Sequence, residues 1–419
     1  MIRLYNAKLL MPDMSIQSGE ISIEKNIIKY IGKPETPQEY EKEIDLGGNL
    51  LMPGFKNLHT HSPMTFLRSY AEDLPLDRWL NEKIFPAEAK MTDEDAYWCT
   101  MLAFAEYLTS GMTACFDMYF FPEAVAKASV DMGFRTTILS SLNNFKESIP
   151  EIEENYHKYN SYDPLVGFIP GFHAEYTTNR ELLEGMAELS HRLNTPLGAH
   201  MSETRFEVEE CKKRYGLTPT ALFEKLGILD IDGGIFAHCV WLDDNDIKIM
   251  KKHNCTAVIN SGSNCKLASG TAPFVTLCEA GVNTALGTDG PASNNCLDMF
   301  REMWLATALQ KLKTENAAAM PAHTVLKAAT QNGAKALGLN ALGISEGALA
   351  DLIVIDLKRP NMQPENNIVQ NLVYSGSKEN VLMTMIDGKI LYEREKGFLN
   401  CDINEIYKKV SQISQRILN

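Results

Sequence analysis

LMPGFKNLHTH, residues 51–61, is a short apolar run that ends in two histidines two positions apart. Side chains alternate faces along a strand, so His59 and His61 point the same way from one strand end. Seven further runs of this kind follow: GMTACFDMYF (111–120), FRTTILSSL (134–142), LVGFIPGFH (165–173), PLGAHMSE (196–203), GGIFAHCVWL (233–242), CTAVINSGSN (255–264) and VNTALGTDG (282–290). Helix-like stretches lie between them at 93–109, 123–132, 179–193, 243–253 and 297–313. Strands alternating with helices give parallel βαβ units, and eight such units predict an α/β fold of the (β/α)8 TIM barrel kind over residues 54–345. A doubly wound open sheet is the alternative, and no G-x-G-x-x-G or P-loop string supports it.

Outward from this middle, both flanks change texture. IRLYNAKLL (2–10) and EISIEKNIIKYIG (20–32) alternate apolar and polar residues with period two, as do ALADLIVIDL (348–357) and ENVLMTMIDGKILYE (379–393), where Asp387-Gly388 reads as a hairpin turn. Either flank alone is too short to bury a good core, so residues 1–53 and 346–419 are expected to form one small β-sandwich domain from both chain ends. The last segment, INEIYKKVSQISQRIL (403–418), is helical in pattern.

Lys and Arg number 40 against 54 Asp and Glu, a formal charge of -14 that repels phosphate backbones and anionic membranes. Nucleic acid and membrane partners are therefore not expected. No apolar run approaches the roughly 18 residues needed to cross a bilayer. The nine cysteines include no C-x-x-C pair, which points to a reducing, cytoplasmic setting.

The polar residues that matter sit at strand ends: His200, His238 and Asp289 close the fifth, sixth and eighth runs as His59 and His61 close the first. Catalytic groups of a barrel come from that rim. Three imidazoles and a carboxylate suit Zn²⁺, or Fe²⁺, better than Ca²⁺ or Mg²⁺. Such an ion brings the pKa of a water down from 15.7 toward about 7, and Glu203, three residues past His200, is the candidate proton shuttle. Ser261, Asn264, Ser293 and Asn294 read as hydrogen-bonding support for Asp289 and the loops around it. His157, His191, His253 and His323 read as surface residues.

PGFKNLHTH (53–61), HMSET (200–204), AHC (237–239), NSGSNCKLASG (260–270) and GTDGPASNN (287–295) together resemble the amidohydrolase superfamily, in particular its 5-methylthioadenosine/S-adenosylhomocysteine deaminases. The resemblance implies a barrel carrying a β-sandwich, with His59, His61, His200 and Asp289 holding one Zn²⁺ (Fe²⁺ as the alternative). It also implies that Glu203 shuttles protons, His238 orients the nucleophilic water and Asp289 accepts a proton from it. The carboxylated Lys of two-metal members has no counterpart in GFHAEYTT (171–178). By the same resemblance Trp79 packs on the ligand, Glu88 accepts the ribose hydroxyls, His173 contacts the adenine and Arg135 meets a substrate carboxylate. A second Arg is absent from 141–160, where Lys146 is the nearest cation to that expected contact. A Lys lacks the bidentate fork, so uncharged 5′-substituents are expected to be preferred over the homocysteine tail. The implied reaction is hydrolytic deamination of an adenine nucleoside, and a homo-oligomer is compatible with it. Two other readings are open: a deaminase or chlorohydrolase of guanine or an s-triazine, and a catalytically silent purine-binding barrel.

Overall fold

The computed structural model describes residues 1–34, 36, 38–75 and 78–418. Seventeen strands are found among them: β1 (Ile2–Leu10), β2 (Ile16–Glu24), β3 (Ile27–Ile31), β4 (Lys42–Asp45), β5 (Leu50–Pro53), β6 (Phe55–Thr60), β7 (Met112–Met118), β8 (Arg135–Leu139), β9 (Val166–Ile169), β10 (Gly198–Met201), β11 (Ile235–His238), β12 (Thr256–Ile259), β13 (Asn283–Leu286), β14 (Leu352–Ile355), β15 (Val381–Ile386), β16 (Lys389–Glu393) and β17 (Gly397–Phe398).

The eight expected middle runs are β6 to β13, paired in parallel as two four-stranded sheets, β6-β7-β8-β9 and β10-β11-β12-β13. Helices connect them, including Asp93–Thr109, Pro122–Met132, Arg180–Leu193 and Asp244–Lys252. Their ends follow from local chemistry. Thr92 and Asp95 form a reciprocal capping box at the first, while Pro122 opens the second and Gly133, left-handed at φ 76°, closes it.

The two sheets touch at both junctions. Gly171 and Gly198 form a parallel bridge between the β9 and β10 sides, and the Asp289 amide donates to the His59 carbonyl at 2.9 Å on the other side. A Cβ on Gly171 would lie 2.4 Å from the Gly198 oxygen, so only glycine allows that approach. Leu58, Phe116, Met118, Leu139, Ile235, Val258 and Ala285, drawn from strands of both sheets, pack as one buried interior cluster.

The chain ends meet in a single nine-stranded sheet, β17-β16-β15-β14-β5-β1-β2-β3, with β4 beside β1. The seam is the antiparallel pair β5 and β14, in which Ile353 faces Met52 and Val354 faces Leu51. Leu4, Leu9, Ile21, Leu51, Leu352 and Met385 belong to one buried apolar cluster on this sheet. Asp387 (φ 53°) and Gly388 (φ 74°) form the turn between β15 and β16. The terminal helix Ile403–Leu418 leaves this sheet and packs on the helix Asp93–Thr109, where Arg416 pairs with Asp95 and Lys409 reaches Glu94 at 3.3 Å.

Arg135 corrects an expectation. It is the first residue of β8, at the strand end opposite the histidine rim, and its guanidinium binds Asp351 (2.8 Å) and Asp387 (3.2 Å) of the end-derived sheet. It is therefore a clamp between the two sheet systems and cannot meet a ligand at the other end. Asp351 is fully buried, so Arg135→Ala would strand its charge. Losing one partner of a buried pair costs ~3–5 kcal/mol. A denaturation midpoint no lower than that of the parent protein would refute this role.

Candidate metal and active site

His59 is the fifth residue of β6 and His61 follows its end, so strand alternation aims both rings into the same space. His200 lies on β10 and His238 ends β11. Ring centroids of His59, His61, His200 and His238 lie 4.8–5.4 Å apart across the pairs that touch. Asp289 completes the group, its Oδ1 3.2 Å from His61 Nε2 and 3.4 Å from His59 Nε2. His238 (φ 71°) and Asp289 (φ 59°) both take left-handed backbone, which costs free energy and re-aims their side chains at the strand ends.

Hydrogen bonds fix which ring nitrogens face inward. His61 Nδ1 donates to the Met118 carbonyl and His200 Nδ1 to the His173 carbonyl, each at 2.7 Å. His238 Nδ1 donates to Asn264 Oδ1 at 2.9 Å. In its neutral form each of these three rings thus presents an unprotonated Nε2. Burial pushes His59 down to about 4, and burial with the neighbouring imidazoles pushes His173 to about 3, so both are neutral near pH 7.

This donor set fits a divalent cation. His59 Nε2 is buried without a hydrogen-bond partner, and His61 Nε2 and His200 Nε2 lie 3.4 Å apart, where two neutral rings bonded through Nδ1 have no proton to share. Facing lone pairs at that distance are unfavourable unless a positive charge sits among them. The ligand atoms of His59, His200 and His238, and those of His59, His61 and Asp289, fall within 4.8 Å of one another.

Glu203 stands beside this group, with Oε2 3.8 Å from His238 Nε2 and Oε1 accepting from Ser269 Oγ at 3.0 Å. Beneath it the buried carboxylate of Glu207 accepts the Ser202 and Glu203 amides at 2.8 and 2.7 Å. Burial and the Glu203 charge raise Glu207 to about 7.

Trp79, Glu88 and His173 line the same cavity as His61, His200, Glu203, His238 and Asp289; it holds roughly 610 Å³ of empty space, part of it open to solvent. Trp79 opens a turn of π-helix, Trp79–Ile84, and its indole N–H is used by the Ala71 carbonyl, so only its ring is offered to a ligand. Burial raises Glu88 to about 7, against the opposing hydrogen bond from Tyr119 OH at 2.6 Å. No Arg or Lys is among the described residues lining the cavity. Lys146 is exposed, 5.9 Å from the ring centre of Phe120 at the cavity wall. A wider groove around Arg205, Trp241 and Leu312 contains none of the histidine cluster.

Sequence reasoning passed over Tyr119, Tyr176, Glu207, Ser263 and Ser269. Tyr119 directly follows β7, and its place past a strand's C-terminal end was the available signal. His253, expected at the surface, is buried with Nε2 3.2 Å from Glu224.

The sequence pattern of the amidohydrolase family matches residues 50–391. The 5-methylthioadenosine/S-adenosylhomocysteine deaminase of Thermococcus sibiricus is 43% identical over 90% of both chains. The protein of that name from Caldanaerobacter subterraneus is 36% identical over 100% of this chain and 98% of its own. The crystal structure of a Xanthomonas campestris adenosine deaminase with bound zinc superposes with a TM-score of 0.94 and 31% identity, covering 99% of this chain and 98% of that one. No helix among the described residues is long and apolar enough to cross a membrane. The family pattern spans both the strand ends and the sheet seam, and on that match the chain belongs to the amidohydrolase family.

Proposed function

We propose that this protein is a zinc-dependent hydrolytic deaminase of adenine nucleosides, converting the C6 amine to an inosine-type carbonyl with release of ammonia. The observation that carries this reading is the placement of Glu203 beside His238 and Asp289, in one cavity with Glu88. His59, His61, His200 and Asp289 would hold one ion; Fe²⁺ is the alternative. A bound ion of this kind supplies Lewis acidity that lets water act as a nucleophile near neutral pH.

The remaining work belongs to the side chains. His238 Nε2 and Asp289 orient the attacking water; Glu203 carries one of its two protons to N1, and Asp289 takes up the other, which Glu203 then passes to the departing amine. Trp79 and His173 bracket the nucleoside. Glu88 accepts from the ribose 2′- and 3′-hydroxyls. With Arg135 at the opposite strand end and no Arg or Lys among the described residues of the cavity wall, 5-methylthioadenosine, 5′-deoxyadenosine and adenosine are preferred over S-adenosylhomocysteine. We also read the two four-stranded sheets as one closed (β/α)8 barrel and the end-derived sheet as its β-sandwich partner. Nine free cysteines support a cytoplasmic setting.

The test is the ultraviolet change from adenine to hypoxanthine chromophore, scored as kcat/KM on those four nucleosides with zinc-loaded protein. No turnover of any of them by metal-bound protein would refute the reading and move it to a free base or a triazine. S-adenosylhomocysteine as the best substrate would overturn the preference alone. Glu88→Ala separates nucleosides from free heterocycles. Hydrogen bonds to charged groups are worth about 1.5–3 kcal/mol each, so kcat/KM for the nucleoside should fall by roughly 10- to 100-fold or more. Unchanged kinetics in that variant would favour the free-heterocycle alternative.

A further inference from the structure

The ten residues Ser261–Gly270, which follow β12, touch each of the three side chains assigned to proton handling. Ser263 Oγ donates to Asp289 Oδ2 at 2.5 Å, Asn264 Oδ1 accepts from His238 Nδ1 at 2.9 Å and Ser269 Oγ donates to Glu203 Oε1 at 3.0 Å. Each of these three groups has two ends. In each, the segment binds one end and leaves the other facing the cavity: Asp289 Oδ1, His238 Nε2 and Glu203 Oε2.

The segment is itself held firmly. The Gly262 amide donates to the buried Glu302 carboxylate at 2.9 Å, and Glu302 also accepts from Asn294 at 2.8 Å. The Ser269 amide donates to the Asn264 carbonyl at 2.9 Å, while the Ser269 carbonyl accepts from Trp241 Nε1 at 2.7 Å. On either side of Ser269 the backbone is left-handed, at Ala268 (φ 54°) and Gly270 (φ 125°). At Gly270 a Cβ would also meet Val240 Cγ1 at 2.9 Å. Strained backbone at Ala268 and a glycine-only conformation at Gly270, over-determined by hydrogen bonds, hold the serine between them in a single orientation.

We propose that Ser261–Gly270 is a positioning segment for the proton-transfer groups, and that Ser269 is the positioning residue of Glu203. Its hydroxyl pins Oε1 and leaves Oε2 as the oxygen that moves the proton. A glutamate with both oxygens free would divide its time among several rotamers, only some of them in reach of the substrate. The proposal rests on the deaminase reading above.

The experiment compares the zinc-loaded parent protein with Ser269→Ala, Ser269→Thr, Glu203→Gln and the double variant on 5-methylthioadenosine. Loss of a hydrogen bond that orients an active-site group typically costs 10- to 100-fold in activity. Ser269→Ala is therefore expected to lose about that much in kcat with KM and zinc content unchanged, and Ser269→Thr to recover most of it. In the Glu203→Gln background the same Ala change should cost nothing further, because the group it acts through is already gone. An Ala variant with the kcat of the parent would overturn the proposal. So would an equal loss in the Gln background, which would make the hydroxyl a matter of folding. Should Ser269→Ala fail to fold, Ser269→Cys, nearly the same size and a weak donor, is read by the same criteria. An inactive parent protein would refute the deaminase reading and leave the test of the segment to the reaction then found.

Discussion

Glu203→Gln should lower kcat on the nucleoside substrate by about 10²- to 10⁴-fold, the range that a positioned general acid/base contributes. Gln keeps an acceptor oxygen for the Ser269 hydroxyl and occupies the same volume, so packing around residue 203 persists. It cannot carry a proton to N1 or to the departing amine. KM should change little, since the residues proposed to hold the nucleoside, Trp79, Glu88 and His173, line the cavity and are untouched by the change. Stability should not fall. The Glu203 charge is one of the forces raising Glu207 to about 7, second to burial, and its removal relieves a repulsion between buried carboxylates. Kinetics and a thermal melt on the same preparation check both halves. A Gln variant within about tenfold of the parent kcat would take the proton shuttle away from Glu203.

Stripping the metal with a chelator should abolish turnover, with zinc or Fe²⁺ restoring it. The melt should move with it. A ligand present at 1,000 times its Kd stabilises the native state by about 4.1 kcal/mol. Metal analysis and differential scanning calorimetry of chelated and reloaded protein provide the measurement. Protein that contains no metal as purified, gains nothing from zinc or iron and melts identically in both forms would favour the catalytically silent barrel.

The parallel strands were legible because a strand buried on both faces is written as a nearly continuous apolar run. β7, β9, β11 and β12 carry that mark, whereas β6 and β8 are interrupted by polar residues and were read from the apolar residues around them. The inward-facing histidines were legible for a related reason: His-x-His on a strand needs only period two to be read. Contacts made across the fold were not. Ser269 meets Glu203 over 66 positions of sequence, through a loop whose left-handed residues include Ala268, a type that gives no warning of such a conformation. Arg135 was misplaced because its neighbourhood in sequence was read without its position along the strand. As the first residue of β8 it had to lie at the end away from the histidines. His253 looked exposed because it follows a charged helix, and its burial against Glu224 depends on packing between two helices. The end-derived sheet was legible as strands, while its single hydrogen-bonded path required knowing that β5 pairs with β14.

That seam sets an order on assembly. The Leu357 amide reaches Asn49 Oδ1 across 308 positions, and Ile353 pairs with Met52 over nearly as many. During synthesis at about 5–20 residues per second, β5 would wait roughly 15–60 s for its partner strand to be made. Through that interval Leu51 and its apolar neighbours lie along an unpaired edge, the kind of edge that recruits foreign strands. The nascent sheet is thus most vulnerable along β5, and it is relieved only once β14 has been made.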